Sequence, residues 1–217
     1  MFAFSSPRPP VPADLVAKIR PTILARSRTL AVGGPWSEVI PEGKLRRGST
    51  VLVETESTQG GVSVALSLAA EAMTEGLWAG VVGVRDPGVA AMVDLGLDLR
   101  RVLFVPSPAE SWAESAADLL DGVDVLVVQP PRRAGSTLAR RLSDRVRERG
   151  VVLVVVAGES TWPASVDLTL RVREAHWEAT SRLVARALRL EVGSRDRGTH
   201  TVHEVILPDP RGRVASR

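Results

Sequence analysis

This chain predicts an α/β fold: a mainly parallel sheet covered on both faces and closed by antiparallel strands at its C-terminal edge. Three observations carry that expectation. Short, wholly apolar runs recur between Val51 and Val156, and stretches of helical period separate them. Beyond Val156 the apolar residues alternate with polar ones, the mark of strands with one wet face. At 217 residues and 44% hydrophobic content, there is enough apolar material for a single core.

Residues 1–12 are rich in Pro and Ser and read as an unstructured arm. Ala13–Leu30 places Leu15, Val16, Ile19, Ile23 and Leu24 at helical spacing, with Pro21 expected to kink or split the helix. Residues 1–30 are therefore an arm and helix, 31–207 a core domain, and 208–217 a frayed basic tail. Within the core, Gly33–Gly48 is a loop-rich approach to a first strand at Val51–Val53. Helix is predicted at Gly60–Glu75, strand at Trp78–Val84, and a short helix at Pro87–Leu95. Strand Val102–Val105, helix Ala109–Leu120, strand Val123–Val128, helix Ser136–Arg149 and strand Val151–Val156 complete the alternation. Asp167–Arg173, Val184–Val192 and Thr201–Leu207 read as antiparallel edge strands, the last two joined by a turn at Ser194–Thr199.

The chain has no cysteine, so disulfides and thiolate metal sites are excluded and a reducing compartment fits. No apolar run approaches the roughly 20 residues that span a bilayer. The start, MFAFSSPRPPVP, lacks the regions of a signal peptide, and a cytoplasmic location is expected. The isoelectric point near 10.4 accompanies a net charge of only +3. Arginine far outnumbers lysine, which suits planar, bidentate contacts with phosphate or carboxylate; a high-GC genome produces the same bias.

Residues 51–66, VLVETESTQGGVSVAL, have the strand–turn–helix context in which G-x-x-x-x-G-K-[ST] cradles nucleotide phosphates. Laid on that motif, the first Gly is Thr55 and the second survives as Gly60. The Lys that meets the β- and γ-phosphates is Gly61, and the hydroxyl residue that holds magnesium is Val62. The frame of a phosphate loop is present without its cation or its metal anchor.

VLVETESTQGGVSVALSLAAEAMTEG, DPGVAAMVDLGLDLRRVLFVP (with its Leu95–Leu99 turn) and VDVLVVQPP together resemble the RecA-type core. Most closely they resemble the RecA-related mutasome accessory proteins called ImuA, over roughly residues 30–175. The resemblance puts the second nucleotide motif's carboxylate at Gln129 and the water-activating carboxylate at Val84. Four groups of one mechanism are thus missing, and each anchor contributes several kcal/mol of transition-state stabilisation in an active site of this kind. That pattern is similar to the shortened, ATPase-less actinobacterial ImuA-prime type. The resemblance implies a pseudo-ATPase with no cofactor, part of the SOS-induced mutagenic translesion DNA synthesis machinery. Its implied partner is ImuB, an inactive Y-family polymerase homologue, and through it an error-prone C-family polymerase and the sliding clamp. It also implies association with the nucleoid under DNA damage and at most weak or indirect DNA contact.

Other residues invite a site reading. Arg132, Arg133, Arg140, Arg141, Arg145, Arg147 and Arg149 cluster after an apolar strand, with Arg141, Arg145 and Arg149 along one helical stripe. They suit either a phosphate-facing surface or, with Asp144 and Glu148 among them, a solvated face laced with ion pairs. Trp78 and Trp112 fall inside predicted elements and are expected to pack. Trp36, Trp162 and Trp177 lie in loop-like contexts and are candidates for exposed contacts. Arg186, Arg195 and Arg197 make the C-terminal hairpin (Val184–Leu207) basic, and its edge is a candidate partner surface. His176, His200 and His203 do not have ligand spacing, so no metal is assigned. Ser57 and Ser63 lack a nucleophile's partners. A divergent ATPase using Lys44, Arg85 or Asp86, and a DNA-binding repair regulator acting through its arginines, are the alternatives.

Overall fold

A computed structural model describes residues 28–55, 60–73, 76–106, 111–130, 134–158, 161–179, 183–196 and 198–217. Most of the expected N-terminal helix, together with Ser57, Arg132, Arg133 and Arg197, lies outside the described residues. The described chain enters on β1 (Thr29–Ala31), so Leu30 is extended and not helical. A short helix α1 (Trp36–Val39) follows, then β2 (Lys44–Arg46), which pairs antiparallel with β1. The region expected to be loop is thus a small ribbon closed by a helical turn. Trp36 anchors it, fully buried, with Nε1 donating to Ser67 Oγ at 2.7 Å.

The main alternation then runs β3 (Thr50–Thr55), α2 (Gly61–Ala72), β4 (Ala79–Val82), α3 (Val89–Asp94), β5 (Val102–Val105), α4 (Trp112–Leu119), β6 (Val125–Val128), α5 (Ser136–Arg149) and β7 (Val152–Ala157). Every element predicted here is present; β3 is longer than expected, β5 and α5 keep their expected bounds, and the other ends shift by up to three residues. Polar termini fray from the apolar period at such ends. The long strands β8 (Leu168–Ala179), β9 (Leu183–Ser194) and β10 (Thr199–Ile206) follow, and β11 (Ala215–Ser216) ends the chain.

These strands form one nine-stranded sheet in the order β11-β10-β9-β8-β3-β7-β6-β4-β5. From β8 to β5 all neighbours are parallel, and the antiparallel part starts at β9. β8 is therefore an internal strand and not the edge strand the alternation suggested. Residues 208–217 do not fray. Asp209 accepts from the N–H groups of Arg211 and Arg213, both at 2.8 Å, and the chain turns back so that β11 pairs with the end of β10.

Period-2 side chains sort the parallel strands into two cores. Val51, Val53, Val125, Val127, Val152 and Val154 face α2 and the N-terminal ribbon. Leu52, Leu126, Val128, Leu153 and Val155 face α4 and α5. α2 buries Val64, Leu66 and Leu68 together with Ala65, Ala69 and Ala72, and Ser67 meets Trp36, so the helix is enclosed on most sides. In α5, Ala139, Leu142 and Val146 form the inward stripe, and Gly150 ends the helix in the left-handed region.

One buried carboxylate joins three segments at the opposite end of the sheet from α2's first turn. Asp124 accepts from Trp78 N at 3.1 Å and from Arg47 Nη1 at 3.0 Å. Arg47 and Asp124 are both almost enclosed. Removing the carboxylate leaves a buried cation uncompensated, so Asp124→Ala is expected to cost about 3–5 kcal/mol in urea-unfolding free energy. A loss below about 1 kcal/mol, the size of a surface ion pair, contradicts this assignment.

Candidate functional site: a filled phosphate loop

In an open α/β sheet, ligands sit beyond the carboxyl ends of the parallel strands. Here those ends carry Thr55 (β3), Val84 (two residues past β4) and Gln129 (one past β6). Gly60 begins α2 with φ 107°, a left-handed conformation open to glycine, and no side chain caps the helix. The first-turn N–H groups of an α-helix have no partner within it, and the axis places partial positive charge there.

The position where a lysine would stand is filled by its neighbours. A Cβ on Gly61 would lie 2.8 Å from Thr55 Cγ2 and 3.2 Å from Val156 Cγ1. Real Cβ atoms essentially never come this close, so a side chain at residue 61 would force the Thr55 methyl to move. The two substitutions in the loop motif are thus one event in packing. Val62 is half-buried against the α2 core, offering no oxygen to a metal. Val84 is buried in the same apolar cluster as Met92 and Leu95, where an ionised carboxylate would be strongly disfavoured. Gln129 is half-buried, and its backbone N–H donates to Val82 O at 3.0 Å.

The suggested substitute groups are elsewhere. Lys44 is exposed on β2, beside the start of β3, whereas the phosphate-loop position follows its end. Arg85 and Asp86 are exposed beyond β4. Among the described residues no three His, Asp or Glu side chains gather as a metal site. His176 lies near Glu174 and His200 near Glu191, while His203 hydrogen-bonds Thr201 at 3.0 Å.

Two of the three arginines on the α5 stripe, and Arg147 beside it, reach acids. Arg145 and Arg149 both reach Asp121, at 3.3 and 2.9 Å, and Arg147 reaches Asp144 at 3.3 Å. Arg140 and Arg141 are exposed on the same helix. Arg195 is exposed in the turn after β9.

The tryptophans depart from the sequence expectation. Trp162 is only 6% exposed, edge-on to Trp112 with ring centroids 6.5 Å apart, and so is core and not a surface contact. Trp36 is likewise core. Trp78 stands just outside β4 and is 39% exposed; Trp177, read as a loop residue, lies within β8 opposite Arg186 and is 42% exposed.

Arg186 gives the largest correction. Expected on a basic surface, it is 5% exposed and lies against Gly60. Its guanidinium stacks on Trp177 at 5.0 Å, and its Nε donates to Leu207 O at 2.9 Å. Burial pulls its pKa below the usual arginine value. No sequence motif marks it, because β9 brings it to the loop from a distant part of the chain.

A second cluster escaped sequence reading. Glu54, buried at the end of β3, pairs with Arg171 on β8; Arg171 also reaches Glu191 at 3.2 Å, and Arg173 reaches Glu191 at 2.7 Å. The Arg173 hydrogen bond, more than any other contact, holds the Glu191 carboxyl below its ordinary range. These paired charges cover the sheet face that α4 and α5 leave bare.

Residues 38–164 match the MT3502 N-terminal domain family. The Mycobacterium tuberculosis (strain ATCC 25618 / H37Rv) protein Rv3395c is 34% identical over 160 residues, covering 73% of this chain and 71% of that protein. Among solved structures, the chain is similar to the KaiC-like protein PH0186 of the hyperthermophilic archaeon Pyrococcus horikoshii OT3. That match has a TM-score of 0.62 at 17% identity and covers 88% of this chain and 100% of that one, a likeness of fold alone. With strand order, family match and relative in agreement, the chain belongs to the MT3502 N-terminal domain family and has a RecA-like fold.

Proposed function

We propose that this protein is a non-catalytic adaptor: a RecA-like fold kept for its surfaces, with nucleotide hydrolysis abandoned. The carrying observation is the packing of Thr55 and Val156 into the space a residue-61 side chain would need. Val62, Val84 and Gln129 support it by supplying neither a metal ligand nor a base at the other positions of the mechanism. The partner we infer from the ImuA resemblance is an ImuB-type Y-family polymerase homologue, with the error-prone C-family polymerase and sliding clamp reached through it. The process is mutagenic translesion synthesis in the SOS response, at the nucleoid under DNA damage.

The contact surface we assign is the outer edge of β10. Among the described residues β11 pairs with Val205 and Ile206, and Arg217 N–H reaches Glu204 O at 3.4 Å, so Thr199–His203 is the stretch of the strand we assign to a partner strand. Val202, 56% exposed, stands on that strand. The ion pairs of Arg145, Arg147 and Arg149 make a DNA-binding regulator, which would rest on Arg140 and Arg141 among the described residues of that helix, the weaker reading.

Two outcomes are expected. Purified protein with ATP and magnesium releases phosphate no faster than a protein-free blank. Release that scales with protein concentration contradicts the pseudoenzyme assignment. In co-purification with an ImuB-type protein, Val202→Asp weakens capture by about tenfold or more, as a charge placed in a buried strand contact should. Phe104→Asp, on the opposite edge strand β5, leaves capture unchanged. The reverse pattern moves the contact to β5, and no capture by the parent protein removes the proposed partner.

A further inference from the structure

We propose that Arg186 and the first turn of α2 form a binding site for a phosphoryl oxyanion, taken up without a metal ion. The proposal stands on this corner's geometry and is independent of the partner inferred above.

A Cβ on Gly60 would lie 3.4 Å from Arg186 Cζ and 3.5 Å from each Nη, contact distances that place the guanidinium directly beside the helix start. α2 is 12 residues long and its first turn has no side-chain cap. Its N–H groups and axial charge favour an anion. Arg186 adds a full positive charge at the same place. Two positive poles are therefore held together in a largely desolvated corner.

The partners of Arg186 do not neutralise it. Its Nε is used by the Leu207 carbonyl and its face by Trp177, but Nη2 is buried with no hydrogen-bond partner. No carboxylate among the described residues forms an ion pair with it; burial is the only influence resolved on its titration. A buried charge of this kind is costly until an opposite charge meets it. What it lacks is an acceptor that can take Nη hydrogen bonds on one side and helix N–H groups on another. A tetrahedral oxyanion has that shape, and the planar fork of arginine suits two of its oxygens.

The cation comes from β9 and not from the loop, so the site does not need the lysine whose place Thr55 fills. Among the described residues, neither Val62 nor Gln129 is an anionic oxygen ligand, so the oxyanion we propose is met by nitrogen donors and without magnesium. Free phosphate, a polyphosphate chain and the phosphate end of a nucleotide share this chemistry.

The test is calorimetric titration of the full chain with sodium phosphate, tripolyphosphate and ATP, each in EDTA, against sodium chloride at matched ionic strength. The ATP titration is then repeated with magnesium. Saturable binding above the chloride control, not strengthened by magnesium, is expected. Arg186→Met should weaken it by about tenfold or more and Arg186→Lys by less, in line with loss of charge-assisted hydrogen bonds. ATP binding no tighter than tripolyphosphate assigns the site to phosphate groups alone, and tighter ATP binding assigns it to nucleotides. No saturable binding by the parent chain, or unchanged affinity in either Arg186 variant, overturns the proposal. Because the parent titration is decisive by itself, a variant that fails to fold does not shelter it.

Discussion

One small volume at the end of β3 governs the chemistry left to this protein. Thr55, Gly61 and Val156 share it, and the threonine methyl lies 2.8 Å from where a Cβ at residue 61 would stand. Interiors are close-packed, so such a volume holds one branched side chain or the root of another, not both. With the threonine present, a side chain at residue 61 forces its neighbours to shift, so glycine fits that position and a lysine there is disfavoured. Val62, Val84 and Gln129 likewise offer neither a metal ligand nor a carboxylate base at their positions. Val84 makes the clearest case, because an apolar cluster has claimed a position that in an ATPase must keep a charge.

The surrounding architecture rests on two apolar cores. Alternate residues of the parallel strands fill two cores, one under α2 and one under α4 and α5. β8, β9 and β10 extend the sheet beyond β3, burying Leu170, Leu188, Leu190 and Leu207. The C-terminal region is therefore integral to the core, and its outer strand can present an edge without destabilising the domain. The same extension brings Arg186 over Gly60. The strands that close the sheet thus also place the cation nearest the helix start.

Much of this was legible in the sequence. Wholly apolar runs such as VDVLVV and VVLVVV have no polar face, so they had to be central strands, and the helical period of Ser136–Arg149 survived intact. The loss of the phosphate-loop residues was also readable, since those positions are fixed relative to a strand and a helix. What stayed hidden was tertiary. Trp36 and Trp162 sit beside loop residues in sequence but are buried by elements from elsewhere, while Trp78 is exposed at the very start of a buried strand. The Glu54–Arg171 pair and the Arg186–Gly60 contact join residues far apart in the chain, through a β8–β9 register that includes a shift at Val172/Glu174. The basic tail read as frayed because its last strand is two residues long, and it is ordered by pairing with β10 that no local propensity encodes.

The exclusion between Thr55 and residue 61 is tested most directly by a double-mutant cycle read by urea unfolding. Gly61→Lys alone should destabilise the protein by about 1–3 kcal/mol through overpacking, and adding Thr55→Gly should recover part of that loss. The account predicts that the double variant is more stable than Gly61→Lys alone. Strictly additive losses, with the double variant the least stable of the set, would contradict it.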